Sequence, residues 1–316
     1  MRYTHLFGPV HSRRLGCSLG VDLVPFKTCS FDCVYCECGL TTVRTLRRTE
    51  FFPAGEVLSE LDDYLSGAPV LDFVTFSGSG EPTLSLSIGE VIRFIRSTYP
   101  SYRVAVLTNG SLLWQPEVRE ELLPADVVLP TLSAGTEETF RVIHRPVPDL
   151  SLGKIVSGLE AFRRDYTGEI WLEVFIIPGT NANPTDIAGL RAAIAQIHPD
   201  RVQLNTLDRP GSEGWVRPAT AGELAQVRDM LGLTGVEAVK PVSYGPSHLN
   251  HRADAGSDIV SRVHELLKRR PSTVEDIAAL FGLHKNEVQK ILRDLEVMSP
   301  VASQREERGV FYFCPE

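Results

Sequence analysis

Apolar residues fall in short dense runs separated by longer amphipathic stretches. LDFVTF (71–76), YRVAVLT (102–108), DVVLPTLS (126–133), EIWLEVFIIPG (169–179) and VQLNTL (202–207) are such runs. They are short for helices and too uniformly apolar for half-exposed strands. That composition predicts strands buried on both faces. Helical periodicity falls between them, near 87–97, from about Thr136, and near 184–196. The stretch LGCSLGVDLV reads as a hairpin or lead-in strand, with Val21 to Val24 entering the sheet. About six strand–helix units fit before residue 245, which predicts a parallel sheet covered by helices. The period fits an open doubly wound sheet or a barrel. In either, the site forms at the C-terminal ends of the strands. Those ends carry the cysteine-rich loop, Ser79-Gly80-Glu81, Asn109-Gly110, Ser133, the segment after Glu173, and Asn205.

The pattern changes near Pro241 to Gly256, where turn formers and histidines interrupt the apolar period. This predicts a first domain over 1–245, a linker over 246–256 and a second domain over 257–316. In the second, Asp258 to Arg269 reads as an amphipathic helix. Ser272-x-x-Glu275 reads as a capping box opening another helix, with Val274, Ile277, Ala278 and Phe281 on its apolar side. Gly282-Leu283 makes a turn, and a third helix runs from about His284 to Glu296, burying Val288, Ile291, Leu292 and Leu295. PVASQREERGVFYFC then reads as two short strands around a polar loop. Three helices and a hairpin in this order resemble the winged helix-turn-helix fold.

Composition narrows the function. The 316 residues are 43% hydrophobic with a net charge of −8, so a broad basic surface for indiscriminate nucleic-acid binding is not expected. Residues 257–316 hold nine basic against ten acidic side chains, and the third helix mixes Lys285, Lys290 and Arg293 with Glu287, Asp294 and Glu296. Arg269-Arg270 with Arg305 and Arg308 would make at most a small basic patch. No apolar run reaches membrane-spanning length, and MRYTHLFGPVHSRR lacks an apolar signal segment. A cytoplasmic protein is expected.

Of six cysteines, Cys29, Cys33, Cys36 and Cys38 fall within ten residues, whereas Cys17 and Cys314 stand apart. In a chain of this length with no export signal, such density points to metal rather than disulfides. Thiolates select zinc, copper(I) or iron–sulfur clusters. Structural zinc would need Cys38 as fourth ligand, and zinc ribbons usually carry a second, separated pair. The usual ferredoxin spacing is not met either.

The run Cys29-Ser30-Phe31-Asp32-Cys33-Val34-Tyr35-Cys36 resembles the CxxxCx(aromatic)C motif of the radical S-adenosylmethionine (radical SAM, AdoMet) superfamily. The resemblance implies a partial (β/α)6 TIM-like barrel. It also implies a [4Fe–4S] cluster on Cys29, Cys33 and Cys36, with one iron left open for the amino and carboxylate groups of AdoMet. One-electron cleavage of AdoMet would then give a 5′-deoxyadenosyl radical that abstracts hydrogen from a substrate. Ser79-Gly80-Glu81 resembles the family's GGE motif for the AdoMet amino group, with serine at its first position. Ser133 resembles the ribose-contacting position and Asn109 a site-lining one. Tyr35 and Asn205 join this AdoMet-binding set, Asn205 beside adenine. Ser133 and Asn109 also read simply as turn residues.

Candidate catalytic residues are Lys27, Cys38, Arg145 and Glu173. Lys27 either binds substrate, adjusts the cluster's electrostatics or lies on the surface, and Lys240 has the same ambiguity. Cys38 reads first as a packing residue, as does Cys314. An inward Glu173 needs a partner, which Arg145 or AdoMet would supply. His248 and His251 lie in the linker, within reach of a barrel mouth. The run HSRRLGCSLGVDLVPFKTCSFDCVYCECG, with SGSGEPTL and VQLNTLDRP, is similar to a subgroup grouped with wyosine tRNA-modifying synthases. Those carry a second cluster on three upstream cysteines, whereas only Cys17 stands upstream here, which argues against the wyosine reaction. The resemblance therefore implies an enzyme acting on an RNA base, a peptide or a small metabolite. It also implies an external one-electron donor such as a flavodoxin or ferredoxin. The second domain would contact RNA, or a peptide or protein. The alternative is a non-catalytic redox-sensing iron–sulfur regulator working through the winged-helix region, with Cys38 or Cys17 recruited to the cluster.

Overall fold

The computed structural model describes residues 3–239 and 259–315. Strand β1 (Leu6–Ser12) turns back into β2 (Gly16–Val21), and the short pair β3 (Thr28–Cys29) and β4 (Val43–Arg44) brackets the cysteine loop. Then follow α1 (Ala54–Leu65), β5 (Phe73–Phe76), α2 (Ile88–Thr98), β6 (Arg103–Thr108), α3 (Pro116–Leu122) and β7 (Val127–Pro130). The helices α4 (Glu137–His144) and α5 (Leu152–Asp165) precede β8 (Glu169–Phe175). The unit closes with α6 (Pro184–Ile197), β9 (Arg201–Asn205), α7 (Ala221–Leu231) and β10 (Val236–Ala238). The sheet order is β1-β2-β5-β6-β7-β8-β9-β10, with β1 antiparallel to β2 and every other pair parallel. The sheet has two edges, so this α/β fold is open rather than a closed barrel.

Alternation along the strands builds two faces. Val74 and Phe76, Val104 and Val106, and Leu172 and Val174 point outward and join the large core under the helices. The other face carries Leu15, Phe73, Ala105, Val127, Leu129 and Trp171, an apolar floor packed as a separate cluster. Two residues further along, the same face turns polar at Thr75, Thr131 and Glu173. The strands therefore become polar toward their C-terminal ends, where the loops converge.

Differences from the sequence reading lie mainly at boundaries. Of the stretch Val21 to Val24 only Val21 lies in the sheet, as the last residue of β2, and Leu23 and Val24 belong to the following loop. DVVLPTLS is strand only over Val127–Pro130, so Ser133 lies beyond the strand, after an isolated bridge between Thr131 and Glu173. Pro130 removes a ladder donor at the point where the strand stops. The helices α1, α3, α5 and α7, the short strands β3 and β4, and β10 had no counterpart in the sequence pattern, and β10 adds a seventh parallel strand.

Residues 259–315 form a second unit: α8 (Ile259–Arg269), β11 (Ser272–Thr273), α9 (Val274–Phe281), α10 (Lys285–Met298), β12 (Ala302–Glu306) and β13 (Gly309–Phe313). Its own core holds Val263, Leu267, Ile277, Val288, Ile291, Leu292 and Leu295. The capping box sits one residue later than its sequence motif, on Thr273 and Asp276, while the Ser272 hydroxyl donates to the Arg270 carbonyl. Lys240, His248, His251 and the 246–256 linker lie outside the described residues. Among the described residues no helix is long and apolar enough to cross a membrane.

The two units meet through buried charge. Arg209 donates to Asp276 Oδ2 at 2.5 Å and to the Pro271 carbonyl at 2.8 Å. Arg308 bridges Asp276 and Asp208 at 2.7 and 3.5 Å, and Arg269 reaches Asp22 at 3.2 Å. The basic patch expected from Arg269 and Arg308 is thus not an outward one, because both guanidinium groups turn toward acids of the first unit.

Candidate functional site

The three motif sulfurs each have one nitrogen neighbour. Lys27 Nζ donates to Cys36 Sγ at 3.1 Å, Asn109 Nδ2 to Cys29 Sγ at 3.5 Å, and His144 Nδ1 lies 3.3 Å from Cys33 Sγ. Local structure brings these donors in. Lys27 is only 2% exposed and takes a left-handed backbone (φ 57°) at the entry to the cysteine loop. Its N–H donates to the Ser79 carbonyl, and its own carbonyl accepts from Thr42 and Val43. One residue therefore ties both ends of the cysteine loop to the Ser79 loop. Asn109 follows β6, and its Oδ1 accepts from the Ser111 N–H. His144 ends α4, between Phe31, Phe140 and Tyr35.

The electrostatics separate the sulfurs. Burial pushes the Cys29 thiol up to about 12, and the nearby Glu81 adds to the effect. Burial also raises Cys33 well above the usual thiol range. Cys36 goes the other way, down to about 6, because the Cys38 thiol hydrogen-bonds to it and Lys27 stands beside it. Burial holds the His144 imidazole neutral, with its pKa lowered to about 3. In the Nδ1–H tautomer the ring donates to Cys33.

This donor set fits an iron–sulfur group. Three soft sulfurs, each met by a nitrogen donor, suit thiolate ligands. Among the described residues, no three His, Cys, Asp or Glu gather closely enough to hold a single metal ion. A cluster spreads its cysteines over separate irons, so its ligands do not converge on one point.

Ser79-Gly80-Glu81 lies beside the cysteine loop. Gly80 has no room for a side chain, since a Cβ there would stand 1.9 Å from the Thr28 carbonyl oxygen. Ser79 Oγ donates to Asp22 Oδ2 at 2.8 Å. Glu81 is spent internally. Its Oε1 accepts from Thr83 N–H, Thr83 Oγ1 and Thr108 Oγ1, and its Oε2 from Asn109 N–H at 2.7 Å. The carboxylate thus ties the ends of β5 and β6 together, and burial raises its pKa against those hydrogen bonds.

Glu173 points inward, and its partner is not Arg145. Arg14, from the β1–β2 turn, lies 3.1 Å from Glu173 Oε1, Asn205 Nδ2 donates to Oε1 at 2.6 Å, and Thr131 Oγ1 donates to Oε2 at 2.8 Å. Burial opposes the charge, yet Arg14, Asn205 and Thr131 together hold the carboxyl below its ordinary range. Arg145 instead caps α4 in a left-handed conformation and pairs with Glu213 at 2.6 Å. Ser133 is fully buried and accepts from the Phe175 N–H at 2.9 Å, so its hydroxyl is already engaged. Tyr35 stacks on Phe175 with centroids 3.9 Å apart. Cys38 is not mere packing, because its thiol meets Cys36. Cys314 packs against the core of the second unit.

Sequence reasoning missed His144, Arg14, Asp22 and Arg209. Asp22 carried one usable signal, a carboxylate directly after an apolar strand; the other three depend on tertiary proximity. Asp22 is buried and its Oδ1 has no hydrogen-bond partner. It lines a cavity of about 800 Å³ between the units. Cys38, Phe26 and Ser79 wall one side, and Arg269, Gln304 and Phe313 the other. The motif cysteines do not line this cavity, but Ser79 and Cys38 adjoin them.

Comparison with known proteins agrees with this geometry. A UPF0026 protein of Methanocaldococcus jannaschii is 36% identical over 217 residues, covering 68% of this chain and 67% of its own. A Brachyspira hyodysenteriae protein named GTPase Obg is 34% identical over 296 residues, covering 93% of this chain but only 43% of its own length. The chain thus spans less than half of that relative. A radical SAM methyltransferase from Sphaerobacter thermophilus superposes with a TM-score of 0.50 at 17% identity, over 70% of this chain and 64% of that one, a likeness of fold. Residues 23–189, just over half of the chain, match the radical SAM superfamily, and with the cysteine loop and open parallel sheet at the matching place, the chain belongs to that superfamily.

Proposed function

We propose that this protein is a radical SAM enzyme whose substrate is held between the open sheet and the second unit. Superfamily membership brings a [4Fe–4S] cluster and AdoMet as cofactors. The observation that carries the reading is the triad Cys29, Cys33 and Cys36, each sulfur with its own nitrogen neighbour. These three would hold the cluster. Ser79 and Gly80 would receive the methionyl end of AdoMet, with Tyr35, Asn109, Ser133 and Asn205 around the remainder. The bound groups supply reductive cleavage of AdoMet and hydrogen abstraction by the resulting 5′-deoxyadenosyl radical. The protein's residues supply the framing. Lys27 fixes the cysteine loop, Glu81 ties β5 to β6, and the rings of Phe31 and Tyr35 hold His144 beside Cys33.

The reaction is on an RNA base, a peptide or a small metabolite, and the electron comes from an external flavodoxin- or ferredoxin-type donor. The mostly apolar cavity of about 800 Å³ is of ligand size, and the unpartnered Asp22 Oδ1 marks a place for a donor group of the substrate. We read residues 257–316 as a winged-helix domain that walls this cavity, and the N-terminal similarity as kinship to wyosine-type enzymes without their second cluster. With Arg269 and Arg308 turned inward, the domain fits a peptide or protein contact better than a phosphate backbone.

A second reading, a redox-sensing cluster protein with Cys38 as fourth ligand, draws on the Cys38–Cys36 contact. One anaerobic experiment separates the two. The reconstituted protein is given dithionite and AdoMet, 5′-deoxyadenosine is quantified, and the cluster's EPR spectrum is recorded. Cleavage, or a spectrum changed by AdoMet, supports the enzyme. A four-iron cluster indifferent to AdoMet supports the regulator and overturns the enzyme.

A further inference from the structure

We infer that Lys27 is a dedicated counter-charge for the iron–sulfur centre, a positioning residue that makes the centre easier to reduce and that neither binds substrate nor transfers a proton. This rests on the cluster reading above. Three observations carry it. First, the side chain is 2% exposed and its Nζ lies 3.1 Å from Cys36 Sγ, so the ammonium is committed inside the cysteine loop. Second, Lys27 is the ammonium of the donor set, whereas Asn109 brings an amide and His144 an imidazole. Third, the backbone is held for this placement. A non-glycine residue at φ 57° is uncommon and strained, and such strain persists only where the surroundings over-determine it. Here three backbone hydrogen bonds do so, to Ser79, Thr42 and Val43.

The direction follows from charge. Burying an ammonium without an anion is costly, so the site is built for negative charge. The ammonium faces the Cys36 sulfur at contact distance, and that sulfur carries negative charge once it ligates iron. Reduction adds one more negative charge to a cluster already carrying thiolates. A fixed cation at contact distance from one ligand favours the reduced form, and donors to cluster sulfurs act in the same sense. Lys27 is not among the residues lining the cavity between the units, which separates it from substrate.

The test is an EPR-monitored redox titration of the reconstituted full chain, without AdoMet or substrate. Lys27→Met keeps the length and removes the charge, and Lys27→Arg keeps the charge. Lys27→Met should lower the reduced-to-oxidised ratio at a fixed potential at least about tenfold, a shift of about 59 mV for a one-electron couple. Lys27→Arg should stay within about threefold of the parent. Should Lys27→Met fail to hold four irons while Lys27→Arg holds them, the requirement for charge is supported directly. A Lys27→Met cluster that titrates with the parent overturns the inference, and so does failure of both variants to hold iron, which assigns residue 27 a purely structural role. The AdoMet-dependent EPR change of the parent reports on the enzyme reading separately.

Discussion

Replacing Arg209 with methionine tests whether the two units are joined by buried charge. Arg209 is 6% exposed and its partner Asp276 3%. Its Nη1 serves both Asp276 and the Pro271 carbonyl, and its Nε faces Glu37 at 3.7 Å and Asp208 at 4.0 Å. Burial opposes the guanidinium charge, but Glu37, Asp276 and Asp208 outweigh it and raise its pKa. Removing one partner of a buried pair costs about 3–5 kcal/mol, because the other charge is left behind. Asp276 keeps Arg308 and the Thr273 N–H, which places the electrostatic loss at the lower end, about 3 kcal/mol. The stranded Pro271 carbonyl adds about 1 kcal/mol. Arg217→Met is the matched control. Arg217 and Glu223 pair at the same 2.5 Å separation, but Arg217 is 56% exposed, so solvent and salt screen the pair and little measurable change is expected. Urea denaturation followed by circular dichroism reads both variants. Equal stability losses would refute the argument that burial, and not separation, gives the contact its strength.

Three further outcomes follow from the site. Cys33→Ala should abolish AdoMet cleavage, whereas Cys38→Ala should retain it, with 5′-deoxyadenosine as the readout; loss in the Cys38 variant would move that thiol into the ligand set. The Glu173 pKa is depressed in the folded protein, so its contribution to stability is present above the unfolded carboxylate pKa and is lost as pH falls through the lower folded value. Acid titration of Glu173→Gln should therefore show a shallower loss of stability below about pH 4.3 than the parent, and parallel curves would contradict the Arg14 pairing. Gly80→Ala sets a methyl group against the Thr28 carbonyl, which cannot yield cheaply, so about 3 kcal/mol of stability and most AdoMet affinity should be lost together. Calorimetry and equilibrium dialysis check the two losses.

The parallel sheet was legible because buried strands leave dense apolar runs, and the cysteine loop because its ligands are contiguous in sequence. Strand ends were less so. DVVLPTLS is mostly apolar through Leu132, yet the strand ends at Pro130, which has no N–H to donate, and beyond it only isolated bonds from Thr131 and Leu132 continue, a backbone effect that hydropathy does not register. Alternation set Glu173 opposite Leu172 and Val174, but neither the face it takes nor its partner followed from that. Arg14 lies 159 residues away, in a turn that sequence reading treats as punctuation. Arg145 looked available because its charge is visible in sequence, while its left-handed capping geometry is not. The same limit hid His144. It ends a short helix, and only the packing of α4 over the cysteine loop brings it to Cys33.

These contacts divide the molecule by what each part must specify. The cysteine loop, Lys27, Ser79, Gly80 and Glu81 are locked by backbone hydrogen bonds, close approach and buried carboxylate bonds, so this region tolerates few alternatives. The cavity beside it is different. Its walls come from two units held together by Arg–Asp pairs, its lining is mostly apolar, and one carboxylate oxygen of Asp22 lacks a partner. Asp22 also joins both parts, since its other oxygen binds Ser79 on one side and Arg269 of the second unit on the other. A ligand that satisfies Asp22 Oδ1 would therefore act on the Ser79 loop and on the seating of the second unit at once. Undocking the second unit would remove Arg269 and leave this buried carboxylate without its counter-charge. The seating of the second unit and the polar character of the cavity are in this way linked through a single side chain.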